Sequence, residues 1–153
     1  MNTNMTEFEK EMLSLLENHV NAEMQGNLDL TMETMTPNPR LLNIANMMGG
    51  DDYDGVKKFY EDHLVGKFFP PDVEFNRISL TVGKDQIVEE LVITFTHTQM
   101  IEWLLPNIAP TNNKVKIWHD ALNASRFWSK PILCIINRAF LTSKTQYKKD
   151  DVK

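Results

Sequence analysis

Apolar residues recur at three- and four-residue steps over the first part of the chain. Phe8, Met12, Leu15 and Leu16 are continued by His19 and Glu23, and Leu13, Val20 and Met24 widen the stripe. With 3.6 residues per turn, that spacing gathers side chains on one face of a helix. Thr6 with Glu9 three residues later reads as a capping box, and Gly26 suits the left-handed position past the last turn, so the first helix is expected from about Thr6 to Gln25. A shorter helix follows, capped by Asn27 or Asp29, with Leu28, Met32 and Met35 as its apolar face and Pro37 and Pro39 forbidding continuation. Leu41, Leu42 and Ile44 read as a short strand, and Met47-Met48-Gly49-Gly50-Asp51-Asp52 as a loop. Asp54 is a suitable N-cap for a third helix carrying Val56, Phe59, Tyr60 and Leu64, with Gly66 as its end.

Past Pro70-Pro71 the period drops to 2. Val73, Phe75, Ile78, Leu80 and Val82 predict one strand with an irregularity near Asn76, Gly83-Lys84-Asp85 a turn, and Gln86 to Trp103 a long strand rich in Val, Ile, Thr and Phe. Leu104 to Asn113 reads as a loop, and Lys114 opens another strand. Ile132 to Ile136 is an apolar run whose length fits strand and helix alike. Helices first and antiparallel strands later imply an α+β fold, with N-terminal helices packed on a curved, mainly antiparallel sheet.

Composition narrows the function classes. The chain has 153 residues, 42% of them hydrophobic, which suits one domain (residues 1–145, with a charged tail at 146–153) and one core. A net charge of −5 argues against nucleic acid as a partner. The lone Cys134 provides neither an internal disulfide nor a zinc cage. No apolar run approaches the roughly 20 residues of a membrane span, and the polar, acidic start does not read as a signal or transit segment. A cytoplasmic protein without membrane contact is expected.

Several segments together resemble a known family. His19-Val20-Asn21-Ala22-Glu23 and Asn27-Leu28-Asp29-Leu30-Thr31-Met32 are similar to the first helices of SnoaL-like proteins, which belong to the nuclear-transport-factor-2-like superfamily of cone-shaped α+β folds. Gly55-Val56-Lys57-Lys58-Phe59-Tyr60 resembles their third helix. Val82 to Glu90, continuing into Phe95-Thr96-His97-Thr98, is the most specific piece. Glu102-Trp103-Leu104-Leu105-Pro106 and Ala109-Pro110-Thr111 resemble the family's Asp-Trp-Leu-Leu-Pro-Gly and Pro-Pro-Thr-Gly loop, with Glu102 for Asp and Asn107 for Gly. The resemblance spans about Glu17 to Ile117. It implies a pocket between concave sheet and helices, often a homodimer, and one of many chemistries: polyketide cyclases, steroid isomerases, dehydratases and plain binding modules share the scaffold. After Ile117 the alternating pattern of the family's two further strands and its Tyr-Trp-Asp-Gln ending are not found, so an altered ending is expected: either this chain caps its sheet differently or the reading frame changes near that codon, and Trp118 to Phe140 must supply substitute packing.

Alternation in the long strand puts Glu89, Leu91, Ile93, Phe95 and His97 on one face and Glu90, Val92, Thr94, Thr96 and Thr98 on the other. If the first face meets the core, Ile93 and Phe95 line the pocket and His97 projects into its mouth. There His97 is the candidate catalytic acid or base, and a histidine hydrogen-bonded at the core's edge is the bland alternative. Glu90 joins the pocket only if a bulge swaps the faces, and is otherwise a solvated carboxylate. His19 and Glu23, four apart, pair on one helix face beside the pocket, too few ligands for a metal site; the alternative is a pair that orders the helix. Tyr60 and Trp103 are amphipathic aromatics for the opening, with core packing the alternative for Tyr60 and part of a lid the reading for Trp103; Met47 offers adaptable apolar lining, which packing explains as well. Gly49-Gly50 lacks the residues of a phosphate loop, His119 and Asp120 point apart as strand neighbours, and no Gly-x-Ser-x-Gly elbow exists.

Two functions are compatible with these residues. One is proton transfer on a small apolar carbonyl compound (isomerase, cyclase or lyase type) without metal or cofactor. The other is a non-catalytic module that binds a small hydrophobic ligand or dimerises through its sheet.

Overall fold

The computed structural model describes residues 5–44, 46–64, 69–83, 86–124 and 132–140. Helix α1 spans Glu7–Met24. The Thr6 hydroxyl accepts the Glu9 N–H at 3.2 Å while the Glu9 carboxylate accepts the Thr6 N–H at 2.7 Å, which satisfies two donors that a helix start leaves open. At the other end Gly26 takes φ 66, so that its N–H reaches the Glu23 carbonyl and the Asn27 N–H reaches that of Ala22. Asn27, rather than Asp29, caps helix α2 (Leu28–Glu33).

Strands β1 (Arg40–Asn43) and β2 (Met48–Gly50) pair antiparallel, Leu42 opposite Gly49. The glycine pair expected as a loop is therefore a strand. Gly49 has φ 152 and a Cβ there would run into the Leu41 carbonyl, so glycine is what permits the pairing. Helix α3 (Tyr53–His63) is capped by Asp52, whose carboxylate accepts the Gly55 N–H at 2.8 Å; Asp54, the expected cap, lies in the first turn. Gly66, the expected end of this helix, lies outside the described residues.

Strands β3 (Glu74–Val82) and β4 (Gln86–Thr96) form an antiparallel pair whose register shifts between Arg77 and Ser79. The irregularity expected near Asn76 thus falls at Ile78, which is 55% exposed, and Arg77 takes the concave-face slot that the sequence pattern gives to Ile78. β4 stops at Thr96 and does not reach Trp103. The Thr98 N–H turns back to the Thr96 carbonyl, and the Leu104 and Leu105 N–H groups both meet the Ile101 carbonyl, which folds that stretch into tight turns.

The packing expected of the segment past Ile117 is supplied by strands. β5 runs over Lys114–Ala124 and β6 over Ile132–Phe140, completing six strands in the order β2-β1-β6-β5-β4-β3. β6 is parallel to β1 and antiparallel to β5. The pattern past Ile117 is hard to read because Val115, Ile117 and Ala121 share their face of β5 with a polar residue, His119. A continuous apolar run such as Ile132-Leu133-Cys134-Ile135-Ile136 is how an interior strand reads.

The main core gathers Val56, Phe59 and Tyr60 of α3 with Ile93, Phe95 and Trp103. A smaller cluster seats Met12 and Leu16 of α1 on Ile87, Leu80 and Val82 of the β3–β4 hairpin. The chain is thus an α+β protein with helices on a curved, mainly antiparallel sheet. Among the described residues no helix is long and apolar enough to cross a membrane.

Candidate functional site

Residues from both clusters border a cavity of about 560 Å³ between α1 and the concave sides of β3, β4 and β5. Its helix wall carries a closed polar network. Tyr60, 1% exposed, donates its hydroxyl to Glu23 Oε1 at 2.7 Å, and His19 Nε2 lies 3.0 Å from the same oxygen. His19 Nδ1 is 2.6 Å from Thr34 Oγ1, whose own proton goes to the Thr31 carbonyl at 2.6 Å. Nδ1 is therefore the donor in that contact, and Nε2 beside a carboxylate carries a proton as well. Burial opposes the charge on His19, but the Glu23 carboxylate and its hydrogen bond more than offset that, and the pKa lies above the ordinary 6.5. Burial, with Glu23 adding to it, drives the Tyr60 pKa well up, so the phenol stays a donor.

The sheet wall carries a second group. Glu89 on β4 is buried, and its Oε1 takes Arg77 Nε at 2.6 Å. Across the ladder, Ala121 faces Glu89 and His119 faces Leu91, so His119 is the diagonal neighbour of Glu89 on the cavity face. Between these polar poles the walls are apolar: Leu16, Leu91, Ile93, Phe69, Phe75 and Trp103. Trp103 packs into the cavity wall. It is buried, its ring meets Phe69 at 5.7 Å, and its carbonyl accepts from Asn43 and Asn46. Among the described residues no group of three His, Cys, Asp or Glu side chains is placed to hold a metal ion.

Of the residues singled out from the sequence, His19, Glu23, Ile93 and Trp103 meet on this cavity, and Tyr60 stands one layer behind it. Phe95 is in the core against Phe69 and off the lining. Met47 is 71% exposed at φ 58, away from the cavity. Glu90 points to the far face, bonded to Ser79 Oγ, because the bulge lies in β3 and leaves β4 in strict alternation. His97 does not reach the cavity mouth. The strand ends one residue before it, its ring is fully buried against Phe95, Nδ1 sits 3.4 Å from Thr111 Oγ1, and Nε2 has no partner among the described residues. Burial lowers its pKa and keeps the ring neutral. Arg77 is not among the residues the sequence singles out, and Glu89 and His119, though considered there, are not assigned to the pocket. Glu89 was legible from the alternation that selected Ile93, while Arg77 needed the bulge to be placed within two residues.

No known family model and no curated protein matches the sequence. Solved structures do match. A candidate SnoaL-like polyketide cyclase from Jannaschia sp. CCS1 superposes with TM-score 0.63 at 14% identity, over 90% of this chain and 91% of that one. The epoxide hydrolase/cyclase-like enzyme SalBIII, of pyran ring formation in salinomycin, gives 0.57 at 14% over 85% and 92%. AclR, a candidate hydroxylase from Streptomyces galilaeus, gives 0.56 at 15% over 86% and 90%. In fold, then, this chain is similar to SnoaL-like and nuclear-transport-factor-2-like proteins.

Proposed function

We propose that the chain moves a proton on a small, mainly apolar carbonyl compound, as an isomerase, cyclase or lyase would, with Glu23 as the proton-transferring group. The observation that carries this reading is the state of Glu23: Oε1 is held by Tyr60 and His19 while the side chain opens on a cavity whose walls are apolar between its two polar poles. Two donors on one oxygen fix the carboxylate and leave Oε2, which has no hydrogen bond among the described residues, to accept a proton. His19 and Tyr60 are positioning residues in this scheme. That the named fold neighbours include cyclase-like proteins supports the class of chemistry without choosing the reaction.

Deuterium exchange from D₂O into the α-carbon of a panel of apolar ketones and β-keto esters tests it. Glu23→Gln keeps the shape and is expected to lower exchange by about 10²-fold or more. Exchange that survives this change unaltered removes Glu23 from the mechanism. A non-catalytic ligand-binding role is favoured by one feature, the internal satisfaction of both His19 ring nitrogens. It predicts retention of apolar compounds with no exchange at all.

A further inference from the structure

We propose that Arg77 is the group that takes the substrate's carbonyl oxygen, which makes the ligand a neutral, enolisable ketone or 1,3-dicarbonyl rather than a carboxylate. The inference rests on the proton-transfer reading above. It starts from an anomaly on the sheet wall. Glu89 is a carboxylate with a side chain only 7% exposed, flanked on its strand face by Ile87 and Leu91. A buried ion pair stabilises a fold poorly, since desolvation offsets much of the attraction, so its presence invites a functional account. The geometry supplies one. Glu89 grips Arg77 by Nε, which fixes the guanidinium from behind, and the Arg77 side chain remains 48% exposed. The two η nitrogens carry no hydrogen bond among the described residues, and Arg77 lines the cavity. Four N–H donors of a planar fork are thus presented to whatever fills the pocket. The bulge at Ile78 is what brings Arg77, rather than an aliphatic residue, to this slot.

Charge selects the ligand. The cavity's other ionisable side chains are Glu17, Glu23, Glu89, His19 and His119. Glu89 already balances Arg77 and Glu23 balances His19, which leaves Glu17 in excess. A carboxylate would bring a full charge beside Glu17 and Glu23 with none given up, whereas a neutral carbonyl accepts from the fork and gains its charge only as Glu23 takes the proton and loses its own. The step then balances. The C–H bond next to the carbonyl breaks, its proton goes to Glu23, and the electron pair moves to the oxygen, giving an enolate bonded to Arg77.

Benzoylacetone, an apolar 1,3-diketone whose enol and enolate differ in ultraviolet absorption, is the probe. The protein is expected to bind it, read by tryptophan fluorescence, and to lower the pH at which the bound compound ionises by about one unit or more. Arg77→Gln alone strands Glu89, so the test variant is Arg77→Gln with Glu89→Gln, a neutral pair of the same shape checked for folding by circular dichroism. It should bind the neutral form within about threefold of wild type yet lose about 10- to 100-fold in preference for the enolate, the range of a hydrogen bond to a charged group. Arg77→Lys should recover part of the shift. An unchanged enolate shift in the double variant overturns the role of Arg77 and leaves Glu23 untouched. Failure of the wild type to bind benzoylacetone overturns the assignment of a ketone pocket, and this proposal with it.

Discussion

Tyr60 shows how a single hydroxyl organises the helix wall. Its phenol is buried, so removing the oxygen strands part of the Glu23 carboxylate. Tyr60→Phe should cost about 1.5–3 kcal/mol by chemical denaturation, the range for a hydrogen bond to a charged group; a loss within error would show that the bond is not made in solution. The two buried histidines should respond to pH in opposite senses. His19 has a folded pKa above 6.5, so its stabilisation is complete below that value and is lost as pH rises through the folded pKa. His97 has a folded pKa below 6.5, so its stabilisation holds above 6.5 and is lost as pH falls through the folded value. Unfolding titrations of His19→Gln and His97→Asn against wild type should therefore diverge from it at opposite ends of the pH range. His97→Asn should also leave proton exchange on ketones unchanged, since the ring does not touch the cavity. A parallel response of the two variants would contradict the placement of one of them.

At the scale of elements, β4 carries the sharpest test. Phe95→Ala should cost about 3–5 kcal/mol, because it empties a core position, whereas Thr94→Ala on the other face should cost no more than about 1 kcal/mol. The reverse order would mean a flipped strand. The end of β4 is tied by Asp72, whose carboxylate accepts from the Thr96 hydroxyl and N–H and meets Lys114 Nζ at 3.3 Å. The Thr96 hydroxyl and amide, then Lys114, hold its pKa down at about 2. A depressed carboxylate stabilises above its ordinary value and stops doing so as pH falls through the folded one, so the Thr96 amide should lose hydrogen-exchange protection towards pH 2 but not at pH 5. Much at this level was legible beforehand: the capping box at Thr6, the Gly26 stop, and the face shared by Leu91, Ile93 and Phe95 all follow from local chemistry. What escaped were non-local facts. Only the register across β3 and β4 says that Arg77 faces inward, only a partner strand shows that Gly49 is paired, and only the stop at Thr96 keeps His97 out of the pocket.

For the whole molecule, the position of β6 matters most. It joins the β1–β2 hairpin to the β5–β4–β3 meander, so without it β1 has a partner on one side alone and β5 gains an open edge. A chain ended after residue 124 should lose its cooperative thermal transition and aggregate, checked by calorimetry and light scattering; a monodisperse, cooperatively melting product would contradict this topology.

The parallel pairing of β1 with β6 also sets a timetable. A ribosome makes Arg40 to Asn43 early and Ile132 to Ile135 only after most of the chain has emerged, so the first strand waits for its neighbour throughout synthesis. Closing so long a loop comes late and slowly, since its entropy is lost before the contacts form. During that interval the unpaired side of β1 is open to other strands in the cell, which makes the nascent chain a natural client for chaperones.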